Sequence, residues 1–128
     1  MEHIALARTL YDAFARSDGA ALAAALHPDV VGEVTRGLPH ELGGIHRGPE
    51  AMMRMWGRAG RKTPLRPVPD EITELSDGRL LALGRYVGGG HEAAFAHVIT
   101  FEGDLVKHLV QITDSAIWHR AVVGAQVA

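Results

Sequence analysis

The chain contains no cysteine, so disulfide bonds and thiolate chemistry are excluded. It also lacks an excess of either charge. The formal net charge is −2 and the basic residues are spread out, which argues against a nucleic-acid surface. The longest apolar runs are too short to span a bilayer, and the N-terminal residues lack the apolar segment of a secretory signal. We therefore expect a cytoplasmic protein with neither a nucleic acid nor a membrane as partner.

Aromatic residues are scarce, at 5%, whereas eight histidines are present. The 128 residues, with 47% hydrophobic and 22% charged content, predict one globular domain over 1–128. The histidine spacing is poor for a metal, because His40 and His46, like His91 and His97, lie six apart. We expect neither a metal nor another cofactor.

The segment from Leu105 to Trp118 alternates as a strand does, with residues of one parity on one face. The even positions form the apolar face, and they are Val106, His108, Val110, Ile112, Asp114, Ala116 and Trp118. A carboxylate among apolar neighbours is costly to ionise unless it is paired or solvated. The presence of Asp114 on this face therefore predicts a cavity.

The preceding strand, 92–102, repeats the signal, since its odd face carries His97 among apolar residues. A hairpin at Gly103 and Asp104 joins the two strands. Inward-facing apolar faces would then place His97 and Asp114 on one side of the sheet, as acid–base chemistry needs. A satisfied core histidine beside a partly solvated aspartate is equally compatible with the pattern.

The order of elements predicts an α+β fold with helices packed on one face of a curved antiparallel sheet. Apolar periodicity and start signals predict helices over 3–16, 20–26 and 50–58. Predicted strands are 30–35, 65–75, 79–87, 92–102 and 105–118, and a loop is predicted over 36–47.

Three motifs on this order resemble the SnoaL-like polyketide cyclase branch of the nuclear-transport-factor-like superfamily. They are Tyr-Asp-Ala-Phe-Ala-Arg-Ser-Asp at 11–18, Leu-His-Pro-Asp-Val-Val at 26–31 and Gly-Gly-Ile-His-Arg-Gly-Pro-Glu-Ala at 43–51. The resemblance covers nearly the whole chain. It implies three N-terminal helices on a strongly curved, mixed or antiparallel sheet that forms a cone with one deep pocket. Because the superfamily holds cyclases, isomerases, epoxide hydrolases and binding proteins, the fold alone does not settle the function.

The resemblance also implies roles for individual residues. Asp114 stands where SnoaL-like cyclases have an acid/base aspartate, and His97 where ketosteroid isomerases have an oxyanion-hole acid. Trp56 stands in place of a pocket tyrosine. The isomerase base is replaced by Val34, and the first-helix tyrosine position by Leu10 beside Tyr11, so isomerase chemistry by that constellation is not expected.

We expect His97 and Asp114 to be catalytic and seven other side chains to contact the substrate. The seven are Tyr11, His40, Trp56, Tyr86, Phe95, His108 and Trp118. For Tyr86 the reason is a strand face of small residues that leaves room for a ligand beside a phenol donor. Core packing for Trp56 and a solvated loop position for His40 are the structural alternatives.

The leading functional hypothesis is a cofactor-independent cyclase or isomerase for a polyketide-like natural-product intermediate. Asp114 would move the proton, and His97 would stabilise developing enolate charge. One alternative is epoxide opening of the limonene-epoxide-hydrolase type, for which Arg85 supplies only part of the motif. Another is a non-catalytic domain that binds a hydrophobic small molecule.

The predicted strand 79–87 is apolar on both faces, with Leu80 and Ala82 on one and Leu81, Leu83 and Val87 on the other. Large exposed apolar patches usually mark a partner surface. We therefore expect a homodimer through the outer face of the sheet.

Overall fold

The computed structural model describes residues 2–122, which form four α-helices and one six-stranded sheet. The helices are α1 (His3–Ala15), α2 (Gly19–Ala24), α3 (Gly48–Lys62) and α4 (Ser115–Ala121). The strands are β1 (Leu26–Val34), β2 (Gly44–Arg47), β3 (Arg66–Glu74), β4 (Leu80–Gly88), β5 (His91–Glu102) and β6 (Leu105–Thr113). A 3₁₀ turn, Pro39–Glu41, lies between β1 and β2. No helix within 2–122 is long and apolar enough to cross a membrane.

The sheet is curved and mixed, with the strand order β2-β1-β6-β5-β4-β3. Strand β1 runs parallel to β6, and every other neighbouring pair is antiparallel. The predicted α+β class, with helices packed on a curved mixed sheet, is confirmed.

The helices begin for local reasons that the sequence carries. In α1 the buried residues Ala7, Leu10 and Tyr11 recur at helical spacing. Asp18 caps α2 by accepting a hydrogen bond from the backbone N–H of Ala21 at 3.0 Å. Pro49 lies in the first turn of α3, where its missing N–H costs nothing.

Several boundaries differ from the prediction, among them the start of β1 at 26 and the end of α3 at 62. Two differences change the element order. The last strand ends at Thr113 and not at Trp118, because the Asp114 side chain accepts from the Ala116 N–H at 3.0 Å and starts a fourth helix. The segment predicted as a loop before α3 contains the short strand β2, which pairs with the end of β1.

The inward face of β6 also differs from the prediction, because the strand contains a bulge at Lys107. Thr100 pairs with His108, whereas Phe101 pairs with Val106, so Lys107 has no partner on β5. Because of the extra residue, the even and odd positions after Lys107 exchange the sheet faces that they would otherwise occupy. Leu109 and Gln111 therefore face the core, while His108, Val110 and Ile112 face outward.

The core lies between the inner face of the sheet and the helices α1 and α3. Gly32 of β1 permits the close approach of α3, since a Cβ atom there would lie 2.5 Å from Met52 Sδ. Towards one end of this core the side chains separate and leave a cavity.

Candidate functional site

The cavity has a volume of about 250 Å³, slightly below the roughly 300–1,000 Å³ of typical small-molecule sites, and its wall is mostly apolar. Five of the residues predicted from the sequence line it. They are Tyr11 of α1, Trp56 of α3, Tyr86 of β4, His97 of β5 and Trp118 of α4.

A chain of hydrogen bonds centred on His97 supplies the polar part of this wall. The Tyr11 hydroxyl lies 2.7 Å from His97 Nδ1, and the Tyr86 hydroxyl lies 2.7 Å from His97 Nε2. Gln111 Nε2 donates to the Tyr86 hydroxyl at 3.1 Å. The Gln111 amide is itself fixed, because its Oε1 accepts from the backbone N–H of Thr35 at 3.1 Å.

Burial keeps every side chain of this hydrogen-bond network uncharged. It lowers the pKa of His97 to about 3, because a buried imidazolium would lose its hydration. Burial raises the pKa of both Tyr11 and Tyr86 well above the ordinary value of a phenol, and the proximity of Tyr86 adds to the effect at Tyr11. At neutral pH the site therefore holds a neutral imidazole between two neutral phenols.

The anchored Gln111 amide decides which group donates in each hydrogen bond of this network. The Thr35 N–H is shared between the backbone oxygen and Oε1 of Gln111, both at 3.1 Å. An NH₂ group in place of Oε1 would set two donors against each other, so Gln111 presents oxygen to Thr35 and its NH₂ to Tyr86. The Tyr86 oxygen accepts from Gln111, and its own proton then goes to His97 Nε2. His97 carries its proton on Nδ1 and donates it to the oxygen of Tyr11. The Tyr11 proton is left to point into the cavity.

Phe95 lies behind the imidazole and does not line the cavity. Its ring stacks on His97 with centroids 3.9 Å apart and an interplanar angle of 10°. It also contacts Tyr86 at 4.9 Å between centroids. Phe95 thus orients the His97 ring. It does not lie where the predicted contact with a substrate would require it, since it is not part of the cavity wall.

Asp114 lies outside the cavity, contrary to the expectation that it shares a wall with His97. The residue is exposed, and its carboxylate caps α4. The expectation failed because the strand ends at Thr113, one residue before Asp114, and because the bulge at Lys107 turns the later even positions of β6 outward.

His108 and His40 also lie away from the cavity. His108 is on the outer face of the sheet, where Nε2 lies 2.6 Å from a carboxylate oxygen of Glu33. His40 is an exposed residue of the 3₁₀ turn with a positive φ of 57°, and its carbonyl accepts from Arg58. The same bulge explains the misplacement of His108.

The sequence analysis missed Gln111 and Arg66. Gln111 was assigned to the outer face by the period-two pattern, which the bulge breaks. Arg66 lines the cavity at the start of β3, next to the C-terminal end of α3. Among residues 2–122, no three His, Asp or Glu side chains converge as a metal site would require.

Comparisons with known proteins agree with this fold. The profile of the SnoaL-like domain family matches residues 7–109. An NTF2-like protein of unknown function from Burkholderia pseudomallei is 27% identical, with a TM-score of 0.83 over 97% of this chain and 99% of that one. No match was found among curated proteins.

Two further solved structures share the fold at lower identity. A putative polyketide cyclase from Sinorhizobium meliloti is 23% identical, with a TM-score of 0.72 over 84% of this chain and 93% of that one. TerC, co-crystallised with polyporic acid, is 21% identical, with a TM-score of 0.82 over 94% of this chain and 98% of that one.

Proposed function

The chain belongs to the SnoaL-like family of the nuclear-transport-factor-like superfamily, and from this premise we propose that it is a cofactor-independent cyclase or isomerase of polyketide-like compounds. The observation that carries the proposal is the hydrogen-bond chain that ends on Tyr11 at the wall of an apolar cavity. Two of the similar solved structures support this proposal, since one is named a putative polyketide cyclase and another was crystallised with polyporic acid.

Tyr11 acts as the catalytic hydrogen-bond donor. When an enol carbon of the substrate attacks one of its own carbonyl groups, a C–C bond forms and the C=O π bond breaks. The oxygen becomes negatively charged, and the Tyr11 O–H donates to it. A phenol is protonated at neutral pH, and burial raises the pKa of Tyr11 further, so Tyr11 is available as a donor.

His97 is a positioning residue in this mechanism. By donating from Nδ1 to the Tyr11 oxygen, it holds the phenol in place and turns its proton towards the substrate. The attacking enol loses its O–H proton to water, and water returns a proton to the new alkoxide, so the product is an isomer of the substrate. A carbon between two carbonyl groups is already acidic, so a polyketide-like substrate needs no carboxylate base. No carboxylate occurs among the cavity-lining residues within 2–122.

The test uses 1-phenylbutane-1,3-dione, which contains the repeating unit of a polyketide. The rate of its keto–enol interconversion is followed by the absorbance of the enol. We expect the protein to accelerate the reaction and Tyr11→Phe to lower the acceleration about 100-fold, as loss of an oxyanion donor does. Thr9→Val is the matched control, because it removes a hydroxyl from the exposed side of the same helix. An unchanged rate in Tyr11→Phe contradicts the proposal.

Binding without chemistry is the second candidate, and a specific observation favours it. The described wall of the cavity presents hydrogen-bond donors and no carboxylate. In that case 1-phenylbutane-1,3-dione binds but interconverts at the rate of buffer. Epoxide opening has less support, because Arg85 pairs with Asp70 and Glu92 on the outer face of the sheet.

A further inference from the structure

Arg66 is held rigidly at the cavity wall by backbone carbonyls. Its Nη1 donates to Leu65 O at 2.8 Å and to Thr63 O at 3.3 Å, and its Nη2 donates to Gly60 O at 3.2 Å. A guanidinium has five N–H groups in a fixed fork, so these bonds use three of them. The remaining two N–H groups have no acceptor among residues 2–122.

This guanidinium is the one formal charge among the cavity-lining side chains of the described chain, since His97 is neutral. Arg66 is half-buried, whereas the phenols and the imidazole lie in the interior. Gly60, which also lines the cavity, leaves open space where a side chain would stand. A ligand can therefore reach the cation without meeting a side chain from that position.

The nearby half of α3 strengthens the positive potential. After Glu50 the helix carries only basic charges, and they are Arg54, Arg58, Arg61 and Lys62. The chain as a whole has a net charge of −2, so this concentration of cations is local. Such a local field attracts anions towards the nearby wall of the cavity.

We propose that the substrate is an organic acid, with its carboxylate on Arg66 and a carbonyl oxygen on Tyr11. This inference rests on the proposed function and narrows its substrate class to keto acids with an apolar body. A carboxylate is too costly to desolvate in the apolar interior, whereas a ketone is not. The half-buried guanidinium therefore receives the charged end, and the Tyr11 hydroxyl receives the neutral end.

The experiment compares 4-oxo-4-phenylbutanoate with its amide, 4-oxo-4-phenylbutanamide. The chain has two tryptophans, Trp56 and Trp118, and both line the cavity, so quenching of their fluorescence reports binding. We expect the acid to bind about tenfold more tightly than the amide, as a charge-assisted hydrogen bond predicts. In Arg66→Met the two affinities become equal. Arg8→Met makes the same change in net charge from an exposed position and keeps the preference.

The ratio of the two affinities is measured on one protein, so partial unfolding of a variant cancels. Arg66→Lys is the second variant, and it should retain part of the preference because an ammonium group lacks the fork. Equal binding of acid and amide to the wild type, or a preference that persists in Arg66→Met, overturns the inference. If Tyr11-dependent interconversion of the diketone persists in that case, the proposed function stands and only the substrate class is wrong.

Discussion

His97 makes the free energy of unfolding depend on pH in a defined window. An ordinary histidine has a pKa of about 6.5, and burial lowers the pKa of His97 to about 3. Between these values the unfolded chain binds a proton that the folded chain does not bind, so acid favours unfolding. Tyr11 and Tyr86, which face the ring, stay neutral in this range.

We predict that the His97 contribution is constant above about pH 6.5 and that stability falls below it by about 1.4 kcal/mol per pH unit. Denaturant unfolding at several pH values from 4 to 7 measures this slope. His97→Gln removes the titrating group, so the difference in slope between the two proteins isolates the histidine. Equal slopes would show that His97 is already protonated in the folded chain or exposed to water.

Gln111 sets the direction of the hydrogen bonds around His97, and Gln111→Glu should reverse it. Above the pKa of the introduced carboxyl, which burial raises, the carboxylate has no proton to donate and accepts from Tyr86. Tyr86 then accepts from His97 Nε2, and Tyr11 must donate to Nδ1 rather than into the cavity. We predict that the histidine changes from the Nδ1–H to the Nε2–H tautomer and that turnover falls about 100-fold.

Nitrogen-15 NMR of the imidazole measures the tautomer directly, and the diketone assay measures the turnover. Gln111→Leu is the comparison variant, because it removes the donor to Tyr86 without supplying an acceptor. If the wild type already shows the Nε2–H form, the donors and acceptors assigned to the hydrogen bonds around His97 are wrong.

At the scale of elements, α4 depends on its first residue. The Asp114 carboxylate accepts from the Ala116 N–H, and Trp118 of this helix packs edge-on against Tyr86 with ring centroids 4.8 Å apart. We predict that Asp114→Ala lowers the free energy of unfolding by about 1 kcal/mol, as loss of a helix cap does. Asp114→Asn keeps the cap, so its stability and its turnover should match the wild type. Loss of turnover in Asp114→Asn with unchanged stability would restore Asp114 as a catalytic residue.

The sequence predicts most elements because their apolar periodicity is clean, as in α1 and β5. It fails at β6, where the even positions look apolar but Leu105 and Leu109 also place apolar residues at odd positions. Alternation in such a strand cannot reveal the bulge at Lys107, and one extra residue exchanges the two faces. His97 was therefore placed correctly from β5, whereas Asp114 and Gln111 were each assigned to the wrong side. Asp114 is a typical helix-capping residue, but the alternation that predicts a strand as far as Trp118 runs across it, so the cap was not predicted.

At the scale of the whole molecule, the outer face of the sheet exposes an apolar patch. Its members are 38% to 58% exposed, and they are Ile45, Val68, Leu83, Val87 and Ile112. Pairing of Leu83 with Ala96, and of Ala96 with Ile112, places these three residues in one row across β4, β5 and β6. We propose that a second copy of the chain covers this patch, since an apolar row of this kind is a typical partner surface.

Light scattering at micromolar concentration tests the dimer. We predict twice the chain mass of 13.7 kDa for the wild type and a single chain for Leu83→Glu, because a carboxylate in the apolar row would be buried without a partner. Ala5→Glu introduces the same charge on the exposed side of α1 and should leave the mass unchanged. A mass of one chain for the wild type rules the dimer out.

The parallel pairing of β1 with β6 decides when the site forms as the chain folds. Strands β3, β4, β5 and β6 are sequential neighbours, whereas Thr35 and Gln111 meet across 76 residues. Contacts between such distant residues are slow to form, because the loop between them must close first. A folding intermediate built on these four strands would already hold Tyr86 and Gln111 beside His97. It would lack Thr35, which orients the Gln111 amide, so the tautomer that frees the Tyr11 proton becomes fixed only when β1 docks against β6.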